Sequence, residues 1–590
     1  MTLTREYNYL SSVARTFWRL RRIKREGTRI FADIVEEWAD KTPQAPAVFY
    51  RDREIGYRRF DEGANRFADW ARQQGIERGD VVALFLENCP EYLMAWIGLN
   101  KLGAVAALIN CNLKGAPLAH SIAIAHAKLA IVGANLCPAL AEVARAIPAM
   151  PVVWSLGGAV PGAKNLDAAL AAASPARPDK RVRKGLVAKD NALYIYTSGT
   201  TGMPKAANFS HFRMLFMMYG FAGALKTKAS DRTYVALPLY HATGGICAVG
   251  MMLTAGGAVI IKKRFSVHEF WPDIRQYGAT FFAYVGELCR YLLNQPADVR
   301  DGVHHLRGCT GNGLRPEIWR AFKTRFRIPR IVEFYGATEG NVSMLNYANV
   351  VGAVGRVPGY MRGLFPIRIV RFDVAGEAPV RDGRGFCIEC APGEVGEAVG
   401  GISERPGRSF EGYTAPGDTQ KKILRDVFKK GDVWFRTGDL LKRDARGYFY
   451  FVDRIGDTFR WKGENVATSE VAEALSVVPG ILEVNVYGVD VPGCDGRAGM
   501  AALVTEKGFD PAGLAAHLDL PHYARPLFLR LRPELEITGT FKLKKADLVK
   551  QGFDPGVIGD PLYWFDSSGG SYRALTQQAY GDIVAGKIKF

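Results

Sequence analysis

From about residue 28 onward the chain repeats one pattern. Amphipathic stretches such as Ile30 to Trp38 alternate with short apolar runs such as Val81-Val82-Ala83-Leu84-Phe85-Leu86. Helical periodicity interleaved with compact apolar runs predicts sheets covered by helices, an α/β fold. The pattern loosens in two places. Residues 159 to 188 are rich in Ala, Pro, Lys and Arg with little periodicity, which predicts a surface excursion. Between Pro392 and Gly447 Gly-rich, strand-like segments replace helices, which predicts a β subdomain. Asp453-Arg454-Ile455-Gly456-Asp457 then breaks the pattern, and a helix over Ser469 to Val477 and a strand over Val484 to Val489 open a small α+β domain. The predicted division is an N-terminal segment over 1–27, a large N-terminal domain over 28–453 and a C-terminal domain over 454–590.

Two stretches need their polar positions read closely. In residues 9 to 25, Leu10, Val13, Phe17, Leu20 and Lys24 fall on one helical face, with Arg15, Arg19, Arg21, Arg22, Arg25 and Trp18 around it. Such a basic, aromatic-bearing helix suits a membrane interface, and equally suits packing on its own domain with solvated arginines. Tyr234 to Ile261 carries no charge and is long enough to cross a bilayer. Pro238, His241 and paired glycines at 244–245 and 256–257 break it into strand, loop, buried helix, turn and strand. A transmembrane helix is therefore not expected there.

At 590 residues the chain exceeds what one hydrophobic core supports, so at least two domains are expected. Nine cysteines without a disulfide rhythm suit a reducing compartment. Cys387 and Cys390 lack a second Cys/His pair at metal-site spacing and read as structural thiols. The net charge of +18 concentrates anions, which fits ATP, coenzyme A or anionic lipid headgroups. No helix-turn-helix, zinc-finger or aromatic-rich RNA-binding signature supports nucleic acid as a partner. The N-terminus lacks the apolar core of a signal peptide, so the expected location is cytoplasmic or peripheral at the inner face of a membrane.

Chemistry concentrates in Tyr196-Thr197-Ser198-Gly199-Thr200-Thr201-Gly202-Met203-Pro204-Lys205, directly after the apolar run Ala192 to Ile195. Glycines let backbone N–H groups approach a ligand, hydroxyls donate hydrogen bonds and a lysine offsets negative charge, which is how a chain holds a polyphosphate. The spacing is not that of a P-loop, because Pro204 stands where the second glycine belongs and no Gly-Lys-Ser/Thr follows. Three further segments come in order: Tyr335-Gly336-Ala337-Thr338-Glu339, Thr437-Gly438-Asp439 and Thr538-Gly539-Thr540-Phe541-Lys542.

These four motifs together resemble the adenylate-forming superfamily of acyl-CoA synthetases, luciferases and peptide-synthetase adenylation domains. Tyr284 to Pro296, Phe334 to Asn341 and Val452 to Val466 resemble in particular the fatty-acid transport protein and very-long-chain acyl-CoA synthetase branch. The resemblance implies ATP, Mg²⁺ and coenzyme A as cosubstrates, a fatty acid as substrate, and a small mobile C-terminal lid. It assigns Tyr335 to adenine, Thr338 to the α-phosphate and Glu339 to Mg²⁺, one carboxylate sufficing because Mg²⁺ keeps several waters. Gly311, Asn312 and Gly313 would line the adenine pocket, Asp439 and Arg454 would hold the ribose, and the hinge would lie at Gly456 and Asp457. Lys542 would orient the carboxylate and neutralise the α-phosphate during adenylation, although Lys544, Lys545 and Lys550 make the stretch basic in any case. His241 corresponds to a position beside the acyl tunnel, where it gates the carboxylate end or is a buried structural side chain. Two other readings remain open: a fatty-acyl-AMP ligase serving a carrier protein, and a non-enzymatic lipid-binding or uptake protein. The branch resemblance departs at the N-terminus, where animal members are described as membrane-embedded through a span of a kind this sequence does not show.

Overall fold

The computed structural model describes residues 2–198, 203–405, 407–494, 496–538, 543–588 and 590. The chain divides into two compact units, one built from 1–356 with 401–423 and the other from 357–400 with 424–590.

The first unit holds two helix-covered sheets, as the alternating pattern predicts. One runs in the order Lys164–Asn165, Val152–Leu156, Leu129–Gly133, Val81–Phe85, Val105–Leu108, Asn191–Ser198, Pro204–Ser210. It is parallel up to its last pair, an antiparallel hairpin in which Thr197 lies opposite Lys205 and Ser198 opposite Pro204. The second runs Ser343–Leu345, Ile331–Gly336, Gly308–Asn312, Phe281–Val285, Arg232–Val235, Ala258–Ile261, Pro46–Tyr50, Arg53–Gly56, parallel in the middle and antiparallel at both edges. Continuous apolar runs such as Val81–Phe85 are buried along their whole length, as both faces of a covered parallel sheet require. In open parallel sheets ligands gather at the carboxyl ends of the strands, and Gly311-Asn312 and Tyr335-Gly336 lie at two such ends.

The uncharged stretch 234–261 folds as its breaks predict: strand, loop, a π-helical turn over Ala242–Ala248, the helix Val249–Leu253, and strand. No helix among the described residues is long and apolar enough to cross a membrane. The excursion at 159–188 has more structure than expected. It carries the helix Leu166–Ala172, and Arg183 is buried against Asp33 at 2.5 Å, tying the segment to the helix Phe31–Lys41. The N-terminal helix spans Thr2–Leu20 and turns a different face inward from the one the sequence suggested. Tyr9, Ser12, Val13, Thr16 and Leu20 are buried, while Leu10 and Phe17 are exposed. Arg15 and Arg19 are not solvated in the manner expected: they donate to the carbonyls of Gly223 and Thr227 at 3.0 and 2.7 Å.

The second unit contains antiparallel strands Ile367–Val370, Val395–Gly401, Val433–Arg443 and Tyr448–Arg454, the predicted β region. It also contains a five-stranded sheet ordered Ile481–Asp490, Arg497–Thr505, Phe528–Leu531, Leu562–Asp566, Ser571–Ala574. The helix Thr468–Ser476 packs its Val471, Ala472 and Leu475 on that sheet. The β region is not continuous from 392 to 447: residues 401–423 return to the first unit.

Candidate active site

The polyphosphate segment begins on the strand Asn191–Ser198 and ends on the strand Pro204–Ser210, which pair antiparallel. Gly199, Thr200, Thr201 and Gly202 lie outside the described residues. Tyr196 donates its hydroxyl to the carbonyl of Ser121 at 2.9 Å. Residues 411–414 run beside the second hairpin strand, with Asn208 N–H donating to Gly412 and Thr414 N–H donating to Ala206. This returning segment brings Tyr413 to the site. Its hydroxyl is hydrogen-bonded to both the Glu339 carboxylate and Thr197, and burial together with Glu339 pushes the phenol well above its ordinary range. Lys205 reaches the same segment, pairing with Asp418 at 2.8 Å, and Lys422 stands 3.9 Å from Glu339. Thr197, Lys205, Glu339, Tyr413 and Lys422 thus converge, though their sequence positions span more than two hundred residues.

Thr338 and Glu339 lie on the turn after the strand Ile331–Gly336. That turn is held by Arg213, from the first turn of the helix His211–Leu225. Arg213 donates to the carbonyls of Ala337 at 3.0 Å, Glu339 at 3.1 Å and Gly340. Burial lowers its pKa, and Glu411 and Glu339 oppose that shift by favouring the charged form. Ser210 caps the helix and is itself fixed by Glu411, which accepts from its N–H at 2.7 Å and its hydroxyl at 2.5 Å. A planar guanidinium reaching three carbonyls fixes the backbone that aims Thr338 and Glu339. Among the described residues no group of three or more His, Cys, Asp or Glu side chains could hold a metal by itself. Glu339 offers one carboxylate, so a Mg²⁺ there would share it with phosphate oxygens.

Gly311 and Asn312 end the strand Gly308–Asn312, and Gly313 follows at a positive φ. A Cβ on Gly311 would sit 2.2 Å from the carbonyl of Tyr284, and one on Gly286 would sit 1.8 Å from that of Gly313. Only glycine fits either place. Glu333, fully buried, accepts from the N–H groups of Leu314 at 3.0 Å and Gly313 and from the Tyr284 hydroxyl. Burial raises its pKa from 4.5 to about 8. The fold therefore favours the protonated form, and that stabilisation is complete below about pH 4.5 and lost as pH rises toward 8. At 1.36 kcal/mol per pK unit the loss over the window is roughly a few kcal/mol. The melting temperature of the wild type is expected to fall from pH 5 to pH 8 relative to E333Q, which stays neutral and keeps a carbonyl oxygen to accept from the N–H of Leu314. Parallel melting curves across about that range would remove Glu333 from the titration.

Tyr335 is buried on the strand leading to the Thr338 turn, and Gly336 is exposed beside it. In the second unit Asp439 and Arg454 are cross-strand neighbours, their side chains 3.9 Å apart. A positive φ at Gly438 precedes Asp439. The structure thus brings together the two residues expected at the ribose. Gly456 and Asp457 occupy the turn just after that strand. Gly456 has no positive φ and a Cβ there meets nothing within 4 Å, so this conformation does not call for glycine. Asp457 pairs with Lys545 at 3.0 Å. Lys542 lies outside the described residues. His241 caps the π-helical turn, its Nδ1 accepting from the N–H of Thr243 at 3.4 Å. Cys387 and Cys390 are buried free thiols, as expected of structural ones. Arg213, Glu333, Tyr413 and Lys422 were not singled out by sequence, and no local motif marks them.

The AMP-binding enzyme family matches residues 35–397. The chain is 39% identical to long-chain fatty acid transport protein 6 of Mus musculus over 97% of its own length and 95% of that protein's. Its fold is shared by an anthranilate CoA ligase solved with anthranoyl-AMP (TM-score 0.75, 21% identity, 90% and 98% of the two chains). The ATP-bound MatB of Rhodopseudomonas palustris is similar too (TM-score 0.74, 24% identity, 88% and 98%).

Proposed function

Because the chain belongs to the AMP-binding enzyme family, the adenylate-forming CoA ligases, and is related to long-chain fatty acid transport proteins, we propose that it activates long- or very-long-chain fatty acids to acyl-CoA. The observation that carries this reading is the convergence of Thr197, Tyr413 and Lys422 on Glu339, on a turn clamped by Arg213, with Lys205 reaching the same returning segment through Asp418.

In the first half-reaction a carboxylate oxygen attacks the α-phosphorus of ATP and the bond to pyrophosphate breaks, giving acyl-AMP. The 196–205 segment, with Lys205, binds the triphosphate, and Thr338 bonds the α-phosphate. Tyr335 and residues 311–313 receive adenine, and Asp439 with Arg454 holds the ribose, a carboxylate being able to accept from both hydroxyls at once. Glu339 would hold Mg²⁺, which when bound screens phosphate charge. Lys542 orients the fatty carboxylate and stabilises charge developing at the α-phosphate. In the second half-reaction the coenzyme A thiol displaces AMP. Residues 454–590 move as a lid about Gly456 and Asp457 between the two, carrying Lys542 away and presenting Lys462 to Asn465. His241 lies at the acyl end. Acyl-CoA, being charged, does not recross a bilayer, so activation would also trap an acid taken up from outside.

The test is AMP formation by the purified chain from ATP and Mg²⁺ across medium to very long fatty acids, with and without coenzyme A. Coenzyme A-dependent turnover peaking at long chains is the expected result. Acyl-AMP that coenzyme A does not discharge would identify a ligase serving a carrier protein. No AMP with any acid would leave lipid binding alone.

A further inference from the structure

The inward turn of the N-terminal helix leaves a second apolar stripe outside. Tyr7 is 72% exposed, Leu10 43% and Trp18 50%, and Ala14 lies between them on the same face. At 100° per residue these positions fall within about a quarter of the helix circumference, opposite Tyr9, Thr16 and Leu20. Large apolar side chains in one exposed row on a soluble surface mark an interaction site.

Three features say what covers it. The stripe ends in cations: Arg21 and Arg22 lie 4.9 and 5.2 Å from the Trp18 ring, and Lys24 is exposed just beyond. A further group of cations lies beside the helix. Arg15 is the largest influence lowering the pKa of Lys226, followed by burial, with Arg330 and Arg307 adding less. The helix is also a fixed platform. Arg15 and Arg19 bind carbonyls after and within the His211–Leu225 helix, Tyr9 donates to Arg356 at 3.1 Å, and Arg356 pairs with Glu6 at 2.6 Å. An apolar, aromatic row that stays helical without a partner and is bordered by cations matches an anionic lipid surface, acyl chains under the row and phosphates at its basic edge.

We propose that the Thr2–Leu20 helix docks this chain on anionic membrane through Tyr7, Leu10 and Trp18, with Arg21, Arg22 and Lys24 on the headgroups. The two arginines most exposed to lipid are thus not those nearest the start of the basic run, because Arg15 and Arg19 hold the helix to the fold. The proposal does not depend on the catalytic reading, since its test uses no turnover.

The full chain is mixed with vesicles of phosphatidylcholine alone or with about a third phosphatidylserine, at about 0.1 M salt, and co-sedimentation is measured. Binding is expected only to the anionic vesicles and to weaken with salt. R21Q/R22Q is expected to lose about fivefold per charge, and L10Q/W18Q about tenfold or more. Both variants change exposed side chains, and unchanged thermal unfolding checks that they fold. Equal binding to both vesicle types, no vesicle binding by the wild type, or variants that bind like the wild type would each overturn the proposal. A self-associated species that L10Q/W18Q dissolves, with no vesicle binding, would assign the stripe to a second copy of the chain instead.

Discussion

Replacing Lys542 with alanine is expected to slow acyl-AMP formation by about two to three orders of magnitude, the usual cost of losing one group aimed at developing charge. Transfer from preformed acyl-AMP to coenzyme A is expected to stay within a few-fold of wild type. The asymmetry follows from chemistry. Charge builds at the α-phosphate when the carboxylate attacks and pyrophosphate leaves, whereas thiol attack on the acyl carbon generates its charge elsewhere. Neighbouring lysines provide the control. Lys544 pairs with Glu536 at 3.3 Å, and Lys545 bridges Asp457 at 3.0 Å and the Thr468 hydroxyl at 2.9 Å. Both have structural partners, so K544A is expected to keep both half-reactions. The two half-reactions are followed separately, as pyrophosphate release and as acyl-CoA from synthetic acyl-AMP. Equal losses in both for K542A would place the lysine's effect outside adenylation chemistry.

R213M is expected to lower kcat/KM for ATP by about a hundredfold, because a displacement near 1 Å at a catalytic turn costs that much. The methionine fills much of the volume but leaves the carbonyls of Ala337, Glu339 and Gly340 without their donor. A stability loss of about 2–4 kcal/mol is expected alongside, as for a partly buried charged donor serving several acceptors. The half-saturating Mg²⁺ concentration should rise as well, since the turn that aims Glu339 is freed. R213K retains charge but not the fork, and is expected to recover stability more than activity. Mg²⁺ titration with thermal unfolding of all three proteins separates these effects. R213M with unchanged Mg²⁺ and ATP dependence would show that the turn holds itself.

Much of the candidate site could be proposed from sequence because its expected ligand contacts come from short continuous segments. The hairpin segment at 196–205, the turn at 335–339 and Asp439 each place several polar groups within a few residues, and such spacing survives in sequence. Arg454 was expected only from the family resemblance, and the structure makes it the cross-strand neighbour of Asp439. The supporting residues could not be proposed from sequence. Arg213 meets Glu339 across 126 positions and Ser210 meets Glu411 across 201, so no window of sequence contains both partners. The return of 401–423 to the first unit was missed likewise: its Gly-rich, strand-like composition predicts β structure but not which sheet edge it lies against.

The N-terminal helix draws the line most clearly. Its amphipathic, basic character is written in residues 9–25, and a helix there follows from periodicity alone. The sequence carries two apolar stripes, however, one through Tyr9, Val13 and Leu20 and one through Leu10 and Trp18. Each satisfies the same period, so periodicity cannot choose between them. The choice fell to the carbonyls of Gly223 and Thr227, which take Arg15 and Arg19 and thereby set the rotation of the helix. By itself the sequence determined the α/β alternation, the family and the segments proposed to meet the nucleotide, because these depend on residues close together in the chain. Only the tertiary structure decided which groups hold those segments still and which apolar face stays outside, because those depend on partners that the fold brings from far away.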